Sequence, residues 1–280
     1  MGNIIWIASY PKSGNTWVRA FLHHLFVNAD RPLPLDATRG GEISASGSSL
    51  HWFQTIDKRP PTSWTSQELA AMRPEVQKMI AASRQGSVFC KTHLPLLRLH
   101  GQPTINMSVT AGAIYIVRDP RDLALSFADY HGISIDKAIE WLATENLEVP
   151  ASERQTAEPL GSWSQHVASW TQRPSPAIHV MRYEDLHADP EATFARLAAF
   201  LNLQAPVERI ARAVEHTSFK SMRALEDRDG FDERSPLQER FFRKGVAGAW
   251  RDDLSSDQAK AVLAGHREQM ARFGYLPDDA

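Results

Sequence analysis

The sequence predicts an α/β fold, a single domain over residues 1–280 with a mostly parallel central β-sheet flanked by helices. Three observations predict it. Short apolar runs bounded by turns occur at residues 4–9, 87–91, 113–118 and 178–182, with the length and character of strands buried on both faces. Helical patterns fill the intervals at 16–26, 67–82, 120–130, 135–142, 163–171 and 190–201, with further helical segments to the C-terminus. This alternation builds a parallel sheet through right-handed crossovers. No internal repeat interrupts it, and 280 residues suffice to bury a large core.

The first element carries chemistry as well as structure. Residues 4–17 read I-I-W-I-A-S-Y-P-K-S-G-N-T-W, a β-type run that breaks at Pro11 into a Lys-Ser-Gly-Asn-Thr turn and then becomes helical. A strand, a Gly-bearing loop and a helix start leave several backbone N–H groups without internal partners, all directed to a point where a phosphate can sit. Lys12 adds a mobile positive charge. The segment is P-loop-like, but it is not the G-x-x-x-x-G-K-[ST] phosphate loop, because Lys12 precedes the turn's only glycine. An ordinary ATPase or kinase is disfavoured on that ground.

The second strand ends V-F-C-K-T-H-L-P at residues 88–95, which puts Lys91 and His93 at a strand C-terminus, where open α/β sheets place their ligands. The third, in I-Y-I-V-R-D-P-R-D-L-A-L-S-F at 114–127, ends on Arg118. Pro120 then opens a helix and Ser126 lies about two turns into it. Arg121 and Asp122 read as a solvated or salt-bridged helix start. The fourth strand runs into M-R-Y-E-D-L at 181–186, where Glu184 and Asp185 fit a capping turn and carry no catalysis. Two stretches, 28–61 and 146–161, lack periodicity and read as long loops, which often form binding walls. Residues 225–238 are charged and are expected to order when an anionic nucleotide binds. The pairs His23-His24 and Trp52-Phe53 could reach a pocket or pack against helix and loop neighbours.

Y-P-K-S-G-N-T-W resembles the 5′-phosphosulfate loop of the sulfotransferases that use 3′-phosphoadenosine 5′-phosphosulfate (PAPS), with Asn15 where the family usually has Thr. The segment 114–127 resembles that family's 3′-phosphate-binding strand and helix, and R-K-G-V-A-G-A-W at 243–250 resembles its R-K-G-x-x-G-D-W segment. These motifs occur in the family's order, and the resemblance spans roughly residues 4 to 252. It implies transfer of a sulfuryl group to a hydroxyl or amine of a small-molecule acceptor, with release of adenosine 3′,5′-bisphosphate (PAP). It also implies roles for residues. His93 in K-T-H-L-P is the general base, Lys91 a supporting charge near the transferred group, and Lys12 the cation on the leaving phosphate. Ser13, Gly14, Asn15 and Thr16 complete the phosphosulfate cradle. Arg118, Ser126, Arg243, Lys244 and Gly245 hold the 3′-phosphate. Trp17, Tyr183 and, from H-T-S-F-K-S-M at 216–222, Thr217 and Phe219 contact adenine. Ala249 stands where the family has Asp, which removes one local hydrogen-bonding group from that loop.

Composition bounds the alternatives. The net charge of −2 supplies no basic field for nucleic acid or an anionic membrane, so the expected partner is a small molecule. Cys90 is the only cysteine, which excludes an internal disulfide and a multi-cysteine metal site; its neighbours Val88 and Phe89 make it a buried strand thiol. No metal is expected. The strand that starts within a few residues of Met1 leaves no room for a signal peptide, and no long apolar stretch follows, so a cytoplasmic monomer or homodimer is expected. Two other readings remain open: a nucleotide kinase on a similar architecture, and a noncatalytic binder of adenosine 3′,5′-bisphosphate. Phenols, aliphatic alcohols and glycosylated or peptide natural products are all eligible acceptors.

Overall fold

A computed structural model describes residues 3–38 and 45–276. Residues 39–44, within the first expected loop, lie outside the described residues. The strands are β1 (Asn3–Ser9), β2 (Ala45–Ser46), β3 (Ser87–Thr92), β4 (Arg98–Leu99), β5 (Gln102–Pro103), β6 (Thr110–Val117), β7 (Glu148–Val149), β8 (Glu158–Pro159) and β9 (Ile178–Arg182). The five-stranded sheet has the order β2-β3-β1-β6-β9, and every pair in it is parallel. The four expected strands are its four long members. β4 with β5 and β7 with β8 form small antiparallel pairs, the latter inside the stretch expected to be a loop at 146–161.

Strand alternation builds two cores. Ile4, Trp6 and Ala8 of β1 face one side with Val88, Cys90, Ala113 and Tyr115, whereas Ile7 faces the other with Phe89, Ile114 and Ile116. The helices are α1 (Asn15–Val27), α2 (Leu50–Phe53), α3 (Ser66–Ala82), α4 (Pro120–His131), α5 (Ile135–Ala143), α6 (Trp163–Thr171), α7 (Tyr183–Ala188), α8 (Pro190–Phe200), α9 (Val207–His216), α10 (Phe219–Asp229), α11 (Trp250–Asp253) and α12 (Ser256–Arg272). Apolar side chains of α3, α4, α5, α6 and α12 cover the first face, and those of α1, α8, α9 and α10 cover the second. No helix among the described residues is long and apolar enough to cross a membrane.

Caps set most helix starts. Thr65 and Glu68, Ser162 and Gln165, and Ser255 and Gln258 form reciprocal capping boxes at α3, α6 and α12, while Asp119 caps α4 ahead of Pro120. α1 differs. Its N-cap is Gly14, in a left-handed conformation with no side-chain cap, and the Trp17 N–H turns back to the Gly14 carbonyl at 3.0 Å, while the N–H groups of Asn15 and Thr16 receive no side-chain cap.

Candidate active site

Site residues collect where the sheet reverses its strand order. β1 lies between β3 and β6, and the crevice outside their C-terminal ends is where a doubly wound sheet places a ligand. The Lys12 turn follows β1, His93 follows β3, Arg118 follows β6 and Tyr183 follows β9. All four line one cavity of about 780 Å³, which the 241–246 segment and the loop between β7 and β8 also enclose.

Lys12 bends the chain with φ 68, and its carbonyl accepts a hydrogen bond from Arg118 Nη1 at 3.0 Å. Its Nζ is buried without a hydrogen-bond partner, 3.9 Å from the ring centre of Phe241 and 4.3 Å from that of Tyr130. Burial pushes its pKa down to about 7, opposed by the charges of Glu233 and Asp129. Gly14 follows with φ 107; a Cβ there would stand 2.7 Å from Tyr183 Cδ2, so both conformation and space require glycine.

One ring nitrogen of His93 is tied to the backbone. Its Nδ1 donates to the Ser9 carbonyl at 2.8 Å, which leaves the neutral ring's Nε2 as the lone-pair nitrogen. Burial, and then the nearby Lys91 charge, hold its pKa well below 6.5. A second histidine supports it. His166 Nε2 donates to the His93 carbonyl at 3.0 Å, and its Nδ1 accepts from the Tyr115 hydroxyl at 2.9 Å, with burial holding the His166 pKa near 4. Lys91 is also desolvated, its pKa lowered by burial against the pull of Glu233.

Arg118, besides its bond to the Lys12 carbonyl, lies over the ring of Tyr183 at 4.2 Å. Ser126 projects from α4 into the same cavity, and Arg243, Lys244 and Gly245 line it from the C-terminal segment. That segment is pinned to α4. Asp122 accepts from the backbone N–H of Gly248 at 2.5 Å and of Trp250 at 2.8 Å, while Glu226 accepts from those of Phe241 and Phe242 at 2.7 and 2.9 Å. The expectation of a solvated start to α4 is therefore corrected for Asp122, which is 2 % exposed and anchors the loop that lacks an Asp at 249. Arg121 is salt-bridged as expected, at 2.6 Å to Asp119, and buried under Trp250. Within 225–238, Leu225 to Asp229 complete α10, and Glu233 is tied to Arg19 and Lys91.

Of the catalytic and donor-binding residues that the resemblance implies, all but Ser13 and Thr217 line the cavity. Ser13 is fully buried beneath the turn, and the Thr217 hydroxyl is spent on the Ala213 carbonyl at 2.7 Å. Asn15 lines the cavity, but its side chain bridges the Ile7 carbonyl and Arg19, so it can offer a ligand only backbone. Trp17 is wall and core together, edge-on to Tyr183, His187 and Phe194. His23, His24, Trp52 and Phe53 do not line the cavity; His24, for one, accepts from Leu33 N–H at 2.9 Å. Sequence reasoning missed Tyr130, Phe241, Glu158 and Glu233. Tyr130 alone had a signal, standing one helical turn after Ser126 on the same face.

A model of the sulfotransferase domain matches residues 3–274. Luciferin sulfotransferase of Photinus pyralis is 27 % identical over 90 % of this chain and 67 % of its own length. Sulfotransferase 1A1 of Bos taurus is 26 % identical over 95 % of this chain and 82 % of its own. Among solved structures, retinol dehydratase in complex with androsterone and inactive cofactor PAP superposes with a TM-score of 0.61 at 21 % identity, over 95 % of this chain and 80 % of that one. Mouse sulfotransferase SULT7A1 complexed with PAP gives 0.59 at 19 % identity, over 96 % and 84 %. The match of nearly the whole chain to one family model, carried by a sheet whose C-terminal edge gathers the Lys12 turn, the His93 strand and the Arg118 strand, makes this chain a member of the sulfotransferase family, the transferases that use PAPS.

Proposed function

We propose that the enzyme moves the sulfuryl group of PAPS to a hydroxyl or amine of a small apolar acceptor by in-line transfer, with His93 as general base and Lys12 on the leaving phosphate. The single observation that carries this reading is that His93, Lys91, Lys12 and Arg118, set at three strand ends, open into one cavity. His93 Nε2 accepts the acceptor's proton as the new S–O or S–N bond forms. Lys12 and the N–H groups of Asn15 and Thr16 receive the charge that develops on the phosphate oxygen when its bond to sulfur breaks. Lys91 steadies the group in transit. Transfers of this loose kind need little bonding from the protein and much positioning.

Arg118, Ser126, Arg243 and Lys244 would hold the 3′-phosphate by charge and fork geometry, with Gly245 letting the backbone approach. Trp17, Tyr183 and Phe219 would flank adenine. The rest of the wall includes Tyr130, His131, Trp141, Val149 and Leu160, which suits an acceptor with a flat or aliphatic apolar body. Radiolabelled PAPS offered with phenols, aliphatic alcohols, amines and sterol-like alcohols tests the reading. Label should move to at least one acceptor class and should stop in His93→Ala; a protein that binds PAPS and transfers to none would refute it.

A further inference from the structure

One cation beside the cradle has no role in the chemistry above. Arg19, on α1, is 2 % exposed. Its Nε donates to Asn15 Oδ1 at 3.0 Å, and its Nη2 donates to Thr16 Oγ1 at 3.1 Å and to both oxygens of Glu233 at 2.8 and 2.9 Å. The same carboxylate accepts from Lys91 Nζ and from Thr16 Oγ1, each at 3.4 Å. Glu233 reaches this place from a distant turn that follows α10. Its oxygens therefore meet a guanidinium, an ammonium and the hydroxyl of the cradle's own threonine. Those are the donors an oxyanion would use. The charge of Glu233 is felt at Lys12 and His93 too, so it stands among the groups assigned to the transfer.

We propose that Glu233 is an internal stand-in for the phosphosulfate end of the donor: its carboxylate fills a seat made by Arg19, Thr16 and Lys91, the donor expels it, and Arg19 passes to the incoming anion as a further donor-binding cation. This rests on the cavity being the donor site. Two anions cannot share that seat, because like charges in a desolvated pocket repel strongly. Until exchange, the carboxylate keeps buried cations paired and in position, which spares the donor the cost of ordering them. Exchange then couples nucleotide entry to movement of the turn around Glu233. That turn adjoins Arg234, Ser235 and Pro236, which also line the cavity.

Calorimetry on the full chain, Glu233→Gln and Arg19→Gln tests it with two probes: PAPS, and adenosine 3′-phosphate, which has no 5′ anion. Glu233→Gln should bind PAPS about tenfold tighter, with adenosine 3′-phosphate unchanged. Arg19→Gln, checked for folding by its melting curve, should bind PAPS about tenfold more weakly and adenosine 3′-phosphate normally. If Arg19→Gln fails to fold, the Glu233→Gln comparison decides alone. Equal or weaker PAPS binding by Glu233→Gln, or parallel changes for both probes, would show a fixed structural tie and overturn the proposal. If the wild-type chain binds neither probe, the donor-site reading fails instead.

Discussion

Replacing Lys12 with Met should stabilise the free protein while nearly abolishing turnover. Burial takes this ammonium from 10.5 to about 7, which at about 1.36 kcal/mol per pH unit amounts to about 5 kcal/mol against the charged form. The two aromatic rings at 3.9 and 4.3 Å return about 1 to 2 kcal/mol. Below pH 7 the folded and unfolded chains both carry the proton, so the folded state bears the whole penalty. Between pH 7 and 10.5 the unfolded chain binds more protons, and stability rises with pH. Lys12→Met should therefore gain about 3 kcal/mol at pH 6, an increase of about 1 M in urea midpoint, and the gain should fade above pH 10. Its kcat should fall about 10²- to 10³-fold, the usual cost of losing one preorganised donor to developing charge. Urea unfolding followed by tryptophan fluorescence at pH 6 and pH 9, beside steady-state transfer assays, measures both effects. Equal midpoints at pH 6 would refute the desolvation argument, and unchanged turnover would remove Lys12 from the chemistry.

Because the His93 pKa is held well below 6.5, its base form persists through neutral pH; the acid limb of kcat/KM should fall only below pH 6.5, while the alkaline limb follows Lys12 at about 7, and an acid-limb inflection at or above 6.5 would contradict the environment of His93. Asp122→Ala should free the Gly248 and Trp250 N–H groups, costing about 2 to 3 kcal/mol of stability and weakening PAP binding while leaving adenosine binding nearly unchanged; chemical denaturation and calorimetry would register both. Gly14→Ala meets a φ of 107 and the Tyr183 ring, so a loss of about 1 to 3 kcal/mol is expected, and wild-type stability would show that the turn relaxes easily.

The strands were legible because burial on both faces leaves unbroken apolar runs, and the boundaries at 4–9 and 178–182 differ from β1 and β9 by no more than one residue. The cradle was legible because it is local: strand, turn and helix start are contiguous in sequence. What escaped notice depends on tertiary contact. The Glu233 carboxylate lies 214 residues from Arg19, in a charged stretch that could equally have been a solvated turn. Asp122 sits at a position where an acidic residue ordinarily complements the helix dipole, and nothing local says that it holds the backbone at Gly248. Thr217, an adenine contact by resemblance, donates its hydroxyl to the Ala213 carbonyl at the end of α9, a bond the motif alone does not announce. The β7–β8 hairpin was hidden by its length, two residues per strand, too short for an alternation to register.

Titration calorimetry of adenosine 3′,5′-bisphosphate and of adenosine 5′-phosphate against wild type, Arg118→Ala and Arg243→Ala bears most directly on a nucleotide gripped at both ends. The bisphosphate should bind wild type with a Kd of about micromolar order, weaken with added salt, and lose about tenfold or more in each arginine variant. Adenosine 5′-phosphate should bind less tightly, ignore Arg243→Ala, and lose less than the bisphosphate does in Arg118→Ala, whose side chain also holds the Lys12 carbonyl. Equal affinity for the two nucleotides, or no heat from either, would contradict the account.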